Sequence, residues 1–583
     1  MNGAEYIAEF FRQRGSSKFF LVTGGACTFI IDAIARNTKT EYVCFQHEQA
    51  SAMAADALWR VNKTVGVTVA TSGPGATNLI TGIACSYFDS IPTVHITGQV
   101  NQSESANFIG TKVRQAGFQE TKIVEMVKPI TKYAVQVTNG EELKIELEKA
   151  YNVAISDRKG PVLIDVPMNV QKEEVGDEII YNPPIAEKLS LQKITQIIQE
   201  ISDFFKNSER PLILFGAGVG LAGAEIEVVE WLKKNSNVPF VSSWNGMTYF
   251  NHDMKNYYGQ IGVYGNRGAN FLVQNCDRIL VLGSRLDNRQ RSGNSKSFAP
   301  VAKVCVIDVD GEELKKYANE GYEVIKVNLK HAKDILSDIS ILPSKNWIDY
   351  AVMLKSKFFG KDVSEFSKNN NSLSPYLTVQ KINKMIRDDA IVAVDTGASL
   401  CWVFQIFHRT KQVLFTSGGN SPMGYALPAA IGAALLDTGK QVIAFAGDGA
   451  FQMNIQELQT AYHHKLNFKL FVLNNDGYGI IKQFQDSYFD GRYEATGKGY
   501  STPDFKKVVE AYDVKYFRVE SLDDITEEIF EYNGPAIIDV MLHQNTLIEP
   551  KLEVERPIHD QYPYLSEKEF DLLNPYNNSK RMK

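Results

Sequence analysis

The sequence predicts an α/β protein of three doubly wound parallel-sheet domains. Two observations carry this. Short apolar runs recur along the 583 residues, each followed by a stretch of helical periodicity; strands alternating with helices pair in parallel and bury both faces of their sheet. Two polar stretches, Gln171 to Pro184 and Ser364 to Pro375, then divide the runs into three blocks.

The first block, residues 1–172, opens on an amphipathic helix in which Glu5, Glu9, Arg12 and Arg14 alternate with Ile7, Phe10 and Phe11. That pattern is not a secretion signal. Its strands are Phe19-Phe20-Leu21-Val22, Gly66-Val67-Thr68-Val69-Ala70, Thr93-Val94-His95-Ile96-Thr97 and Val162-Leu163-Ile164-Asp165-Val166. Gln171 to Pro184, with four acids and two prolines, reads as a linker. The central block, 190–342, contributes Pro211-Leu212-Ile213-Leu214-Phe215, Arg278-Ile279-Leu280-Val281-Leu282 and Val304-Cys305-Val306-Ile307-Asp308. Ser364 to Pro375 includes three consecutive asparagines and reads as exposed. The third block spans 376–545, and residues 546–583 form a charged tail containing Pro and Tyr.

Composition narrows the function classes. A net charge of −6 points to neither nucleic acid nor an anionic membrane as partner. Six scattered cysteines, without a Cys-x-x-Cys, fit neither a disulfide framework nor a zinc site and suit a reducing cytoplasm. No apolar run is long enough to span a bilayer.

The chemistry concentrates at strand ends of the third block. Val442-Ile443-Ala444-Phe445-Ala446 leads into Gly447-Asp448-Gly449, and Phe468-Lys469-Leu470-Phe471-Val472-Leu473 leads into Asn474-Asn475-Asp476-Gly477. The ends of parallel strands are where α/β proteins place ligands. Asp448, Asn475 and the Gly477 carbonyl are hard oxygen donors for a divalent ion such as Mg²⁺, which keeps water and substrate phosphates as its other ligands. The glycines admit a diphosphate, and a helix starting near Ala450 aims N–H groups at it. Together the two segments form the diphosphate signature of thiamine diphosphate (ThDP) enzymes.

With that signature present, His47-Glu48-Gln49, after the strand Tyr42-Val43-Cys44-Phe45 and before the helix Ala50 to Arg60, takes on a role. Glu48 suits the N1′ atom of an aminopyrimidine, favouring the tautomer whose imine nitrogen removes the thiazolium C2 proton. Alone, it reads equally well as an acid in a first helical turn. Thr71 to Asn78 forms a glycine-rich strand-to-helix turn, with Asn78 a candidate cofactor contact. In Gly419 to Pro428, Met423, beside Gly424, is the candidate wedge between the two cofactor rings, before a helix Ala429 to Leu436; a core methionine is the commoner reading of such a residue. In the central block Gly216-Ala217-Gly218, Arg285 and Asp308 follow strands and suggest a dinucleotide such as FAD, although tight packing alone also calls for such glycines.

Over nearly its full length the chain closely resembles the acetolactate synthase family of ThDP enzymes. The matching segments include His47-Glu48-Gln49, Ser72-Gly73-Pro74-Gly75-Ala76-Thr77-Asn78, Asp89-Ser90-Ile91-Pro92, Phe118-Gln119-Glu120 and Phe451 to Leu458. The resemblance implies a pyrimidine-binding domain, a central domain that often holds FAD, and a diphosphate-binding domain, in that order. It also implies a homodimer or homotetramer with ThDP between the first domain of one chain and the last of another. The implied activity is decarboxylation of pyruvate and transfer of its two-carbon unit to a carbonyl acceptor, with Phe118, Gln119 and Phe484 in the substrate pocket. Biosynthetic members carry a Trp where Lys482-Gln483-Phe484 stands. Val113-Arg114-Gln115 and Tyr488-Phe489-Asp490-Gly491-Arg492 instead look like carboligases of bacterial surface-sugar pathways, whose acceptor is a nucleotide-bound keto sugar. A flavin-dependent pyruvate oxidase and a non-catalytic homologue are the remaining alternatives; intact Glu48, Asp448 and Asn475 argue against the latter.

Overall fold

The computed structural model describes residues 1–183, 188–359 and 373–577. They form three six-stranded sheets, every one parallel throughout. In spatial order the first sheet runs Glu41–Cys44, Lys18–Leu21, Gly66–Ala70, Thr93–Gln99, Val162–Pro167, Tyr133–Gln136. The third repeats the same topology with Val413–Phe415, Ile391–Val394, Val442–Gly447, Lys469–Asn474, Ala536–Met541, Lys515–Val519. The central sheet differs: Glu323–Lys326, Lys303–Asp308, Arg278–Leu282, Pro211–Phe215, Phe240–Ser242, Tyr257–Gln260. Its chain order reverses between Pro211–Phe215 and Arg278–Leu282, and a doubly wound sheet opens its ligand crevice at such a reversal.

One helix pair joins the first and third domains. Glu48–Asn62 lies against Ala426–Leu435, and small residues let the backbones close: Ala50, Ala54 and Ala57 share one buried cluster with Ala429 and Ala430. A Cβ on Gly432 would lie 2.4 Å from the Ala54 carbonyl oxygen. At the edge of this pair Arg60 bridges Asp56 (2.6 Å) and Asp89 (2.8 Å), and Asp89 accepts the N–H groups of Gly418 and Gly419 from the third domain.

Several local expectations move. Gln171 is wholly buried and donates to the Ala26 and Val166 carbonyls, so the polar stretch begins inside the first domain's core. The expected linker then returns to the same domain, where Val175 donates to the Met1 carbonyl and Arg14 to that of Ile180. Of Ser364 to Pro375, residues 364–372 lie outside the described residues, while Ser374 and Pro375 are buried. Ser374 caps the helix Pro375–Met385 by accepting the Leu377 N–H. The helix of the third domain starts at Ala426, three residues before the expected Ala429. The tail also packs: Leu552, Ile558, Phe570 and Leu573 join the core of the central domain.

Candidate active site

Glu48 opens its helix two residues earlier than the sequence suggested, because the His47 ring caps it: Nδ1 accepts the Gln49 N–H at 3.1 Å. Glu48 is 7% exposed, and its Oε2 accepts the Asn78 amide at 3.0 Å. Asn78 therefore bears on the site through Glu48. The turn before Asn78 must be glycine-rich, since a Cβ on Gly75 would sit 3.1 Å from Glu48 Oε1 and 2.8 Å from Thr71 Cγ2. Gln119 packs on the same turn, its Cβ 2.9 Å from where one on Gly73 would stand. Phe118, beside it, is 85% exposed and lines no wall of its own chain.

Asp448 follows the strand Val442–Gly447 and opens the helix Asp448–Met453, ahead of the expected Ala450. It is 1% exposed. Its Oδ2 accepts the N–H groups of Asn475 (3.0 Å) and Gly477 (3.3 Å), and its Oδ1 accepts the Tyr500 hydroxyl (2.6 Å). Burial raises the Asp448 carboxyl above its usual range, against these hydrogen bonds. The buried Asn475 amide nitrogen has no partner, and where Gly447 lacks a Cβ no atom lies within 4 Å. A concentrated oxygen donor set, an unsatisfied amide and open space beside the glycine suit a hydrated divalent cation carrying a diphosphate.

The loop bearing Met423 is held from beneath by a residue that the sequence reading missed. Asp395, wholly buried at the end of Ile391–Val394, accepts the N–H groups of Thr396 (2.9 Å), Gly424 (3.0 Å) and Ala426 (2.8 Å). Burial pushes its carboxyl up to about 7. Gly424 has a φ of +90°, and a Cβ there would strike Met453 at 2.6 Å. Met423 itself is half-buried against the cluster joining the first and third domains. An acid at a strand end before Thr396-Gly397 was the signal available. A second missed residue is Glu457, buried in the third domain and accepting the Gln46 and His47 N–H groups of the first.

In the central domain the glycines serve packing between loops. A Cβ on Gly216 would lie 2.1 Å from the Gly283 carbonyl oxygen, and one on Gly218 2.7 Å from Gly283 Cα. The cleft beside them is nonetheless open: about 560 Å³, lined by Gly218, Arg285, Asp308, Lys63, Arg158 and Arg409 among others. Phe484 lies elsewhere, on the exposed face of the helix Gly479–Tyr488 that follows the Asn475 segment, with its ring 4.5 Å from that of Tyr488.

Three family models match in the order of the sheets. Residues 1–126 match the thiamine pyrophosphate (a synonym of ThDP) enzyme N-terminal TPP binding domain, 198–331 the central domain, and 395–540 the C-terminal TPP binding domain. The acetolactate synthase isozyme 2 large subunit of Escherichia coli K12 is 31% identical over 548 residues, 93% of this chain and 96% of its own. A probable acetolactate synthase large subunit of Methanocaldococcus jannaschii is 32% identical, covering 93% of this chain and 92% of its own. The Lactococcus lactis large subunit is 30% identical over 94% of each. The chain belongs to the acetolactate synthase family. As a family member it is a ThDP-dependent carboligase of the acetolactate synthase type. Among its described residues no helix is long and apolar enough to cross a membrane.

Proposed function

We propose that this protein decarboxylates pyruvate and joins the remaining two-carbon unit to a carbonyl acceptor, using ThDP and Mg²⁺ in the cytoplasm. The observation that carries the reading is the knot at Asp448: a buried carboxylate between two strand ends, beside the unsatisfied Asn475 amide and the open space at Gly447. Asp448, Asn475 and the Gly477 carbonyl would hold the metal. Gly447, Gly449 and Ala450 leave room for the diphosphate, and Met423 and Gly424 form the loop beside it. When bound, ThDP supplies the electron sink that lets CO₂ leave.

The chain's own groups do the rest. Glu48, oriented by the Asn78 amide that donates to its Oε2, presents a buried carboxylate that would accept a hydrogen bond from N1′ of the aminopyrimidine. Asp395 fixes the height of the Met423 loop. Gln119 stands against the Glu48 turn, where it can orient a substrate carbonyl. FAD, if carried, belongs in the central cleft, with Gly216 and Gly218 at the strand turn and Arg285 and Asp308 on its walls; it is structural, because the net reaction transfers no electrons.

The acceptor is a 2-oxo acid or, as a second reading, a nucleotide-bound keto sugar. The exposed Phe484–Tyr488 pair supports the second, since two rings left uncovered by their own chain are free to meet a large acceptor. Exposed Phe108, Ile109, Val113 and Phe118 on the first domain support a homodimer, or a pair of such dimers, in which a second copy covers them. Labelled pyruvate offered with each acceptor, and products read by NMR, test the reading. CO₂ release with no carbon–carbon bond formed to any acceptor would defeat it, and acetate with hydrogen peroxide would mark an oxidase.

A further inference from the structure

The tail carries a buried lysine, Lys551, whose amine the fold leaves without a partner, and burial lowers its hold on the proton until an anion arrives. Residues 547–554 thread between the third domain, the central domain and the helix Gly479–Tyr488. Trp402 donates to the Leu547 carbonyl, Gln483 exchanges two hydrogen bonds with the Ile548 backbone, and Gln405 donates to the Pro550 carbonyl. Leu552 donates to the Val263 carbonyl at 2.9 Å, and Val554 to the Tyr488 hydroxyl at 2.7 Å. The backbone of Lys551 itself pairs both ways with Tyr562. This segment is fixed from every side, yet at its middle the Lys551 side chain is 6% exposed and its ammonium has no hydrogen-bond partner.

The nearby acids are engaged elsewhere. Glu553 and Asp486 both act on Lys551 from a distance. Glu553, however, takes the Tyr564 hydroxyl and lies 3.4 Å from Arg556, and Asp486 takes the Tyr493 hydroxyl. The Cys401 thiol, also close, is pushed up by burial and is no counter-ion. Arg289 faces the same thiol from the wall of the central cleft. Lys551 thus sits in a segment tied on one side to the helix presenting Phe484, through Val554 and Tyr488, and on the other to the central domain, through Leu552 and Val263. A buried ammonium without a partner is expensive, and an apolar side chain of similar volume would be the more stable choice. Its presence beside the proposed acceptor wall points to an anion supplied from outside.

We propose that Lys551 anchors the anionic group of the acceptor, a carboxylate or a phosphate, beside the helix that presents Phe484. The proposal rests on the carboligase reading and gives its acceptor a required charge.

The test uses full-length enzyme loaded with ThDP and Mg²⁺, as wild type, Lys551→Met and Lys551→Arg. Each is given a four-carbon 2-oxo acid, a nucleotide-bound keto sugar and a neutral aldehyde as acceptor. In Lys551→Met the KM of the anionic acceptor should rise about tenfold or more relative to that of the aldehyde, the worth of a hydrogen bond to a charged group. Lys551→Arg should recover most of it. A loss confined to the oxo acid identifies a carboxylate; one confined to the sugar identifies a phosphate. Inorganic phosphate and acetate should raise the Tm of the wild type and not that of Lys551→Met. An unchanged KM ratio, with no anion effect on Tm and a higher-melting Lys551→Met protein, would make Lys551 a neutral packing residue and overturn the proposal. Carboligation absent with every acceptor would instead defeat the carboligase reading, while the anion effect on Tm still reads the site.

Discussion

The carboxylate of Glu457, in the third domain, accepts the backbone N–H of His47, in the first, at 3.0 Å. The same carboxylate accepts the Gln46 N–H at 3.1 Å and the Thr460 hydroxyl at 2.7 Å. Glu457 is wholly buried, so these bonds have little competition from water. They fix the backbone that sets Glu48 at the start of its helix. Across 410 residues of sequence, one domain holds the other's catalytic candidate in place.

Glu457→Gln should loosen that hold. The amide keeps one acceptor but turns N–H groups toward N–H groups. C2–H exchange of bound ThDP should slow about tenfold, the worth of one charged hydrogen bond. Burial pushes Glu457 up to about 7. Its folded value thus lies above an unfolded value of about 4.3, so its contribution to stability falls as pH rises between the two. Acid therefore steadies the fold while it neutralises the clamp. The wild-type exchange rate should drop as pH falls through 7, and the variant should lack that limb. Identical pH profiles would remove Glu457 from positioning.

Glu48→Gln should keep ThDP bound, because the diphosphate site lies in another domain. Exchange at C2 should slow by about a hundredfold or more, the usual worth of a positioned acid–base group. Exchange into D₂O followed by NMR decides this; a rate within a few-fold of wild type excludes Glu48.

Gly432→Ala sets two known effects against each other. Alanine in a helix interior gains about 1 kcal/mol over glycine. Here the new Cβ would meet the Ala54 carbonyl oxygen at 2.4 Å, and backbone on both sides cannot swing away. Overpacking of that kind costs about 1–3 kcal/mol, so the clash should win and the Tm should fall. A Tm at or above that of wild type would show that the helix pair spreads freely.

What could be read from the sequence was whatever is written locally. Strand ends, the Asp448 and Asn475 segments and Glu48 announce themselves through apolar runs and glycines. Glu457, Asp395 and Lys551 do not, because their partners lie in other domains or loops and no periodicity links them. Likewise the sequence does not show that the glycines of the central domain have a packing reason of their own, the close approach of Gly216 and Gly218 to Gly283. The early start of the Glu48 helix escaped because histidine is not among the usual capping residues.

His95 should make the fold acid-sensitive. It is wholly buried in its strand, with Thr68 and Thr93 hydroxyls at 2.8 and 2.9 Å from its two nitrogens. Burial pushes it down to about 3. A folded value below the unfolded one gives stability that is full above about 6.5 and lost as pH falls toward 3. At pH 5 that loss is about 2 kcal/mol. Asp395 and Glu457, both raised, work in the opposite sense over the same range. His95→Gln removes only the first effect. Without it the opposing acids act alone, so the urea midpoint of the variant should rise more between pH 7 and pH 5 than that of the wild type; an equal change would show that His95 does not titrate in unfolding.

Glu48 and Asp448 should act on one cofactor from two chains. Among the described residues they share no hydrogen-bonding partner. The exposed Phe118 stands on the Glu48 side, and the exposed Phe484 on the helix after the Asp448 knot. Each surface needs a cover that its own chain does not give, and a two-fold axis supplies both at once. Glu48→Gln and Asp448→Ala proteins should each be inactive. Unfolded and refolded together, they form mixed dimers. In a mixed dimer one site combines the intact first domain of one chain with the intact third domain of the other, and the second site carries both lesions. Random pairing makes half the dimers mixed, so about a quarter of wild-type activity should return. Sites built within single chains predict none, since every chain carries a lesion. Mixed dimers isolated by two affinity tags, folded and still inactive, would therefore place each site in one chain.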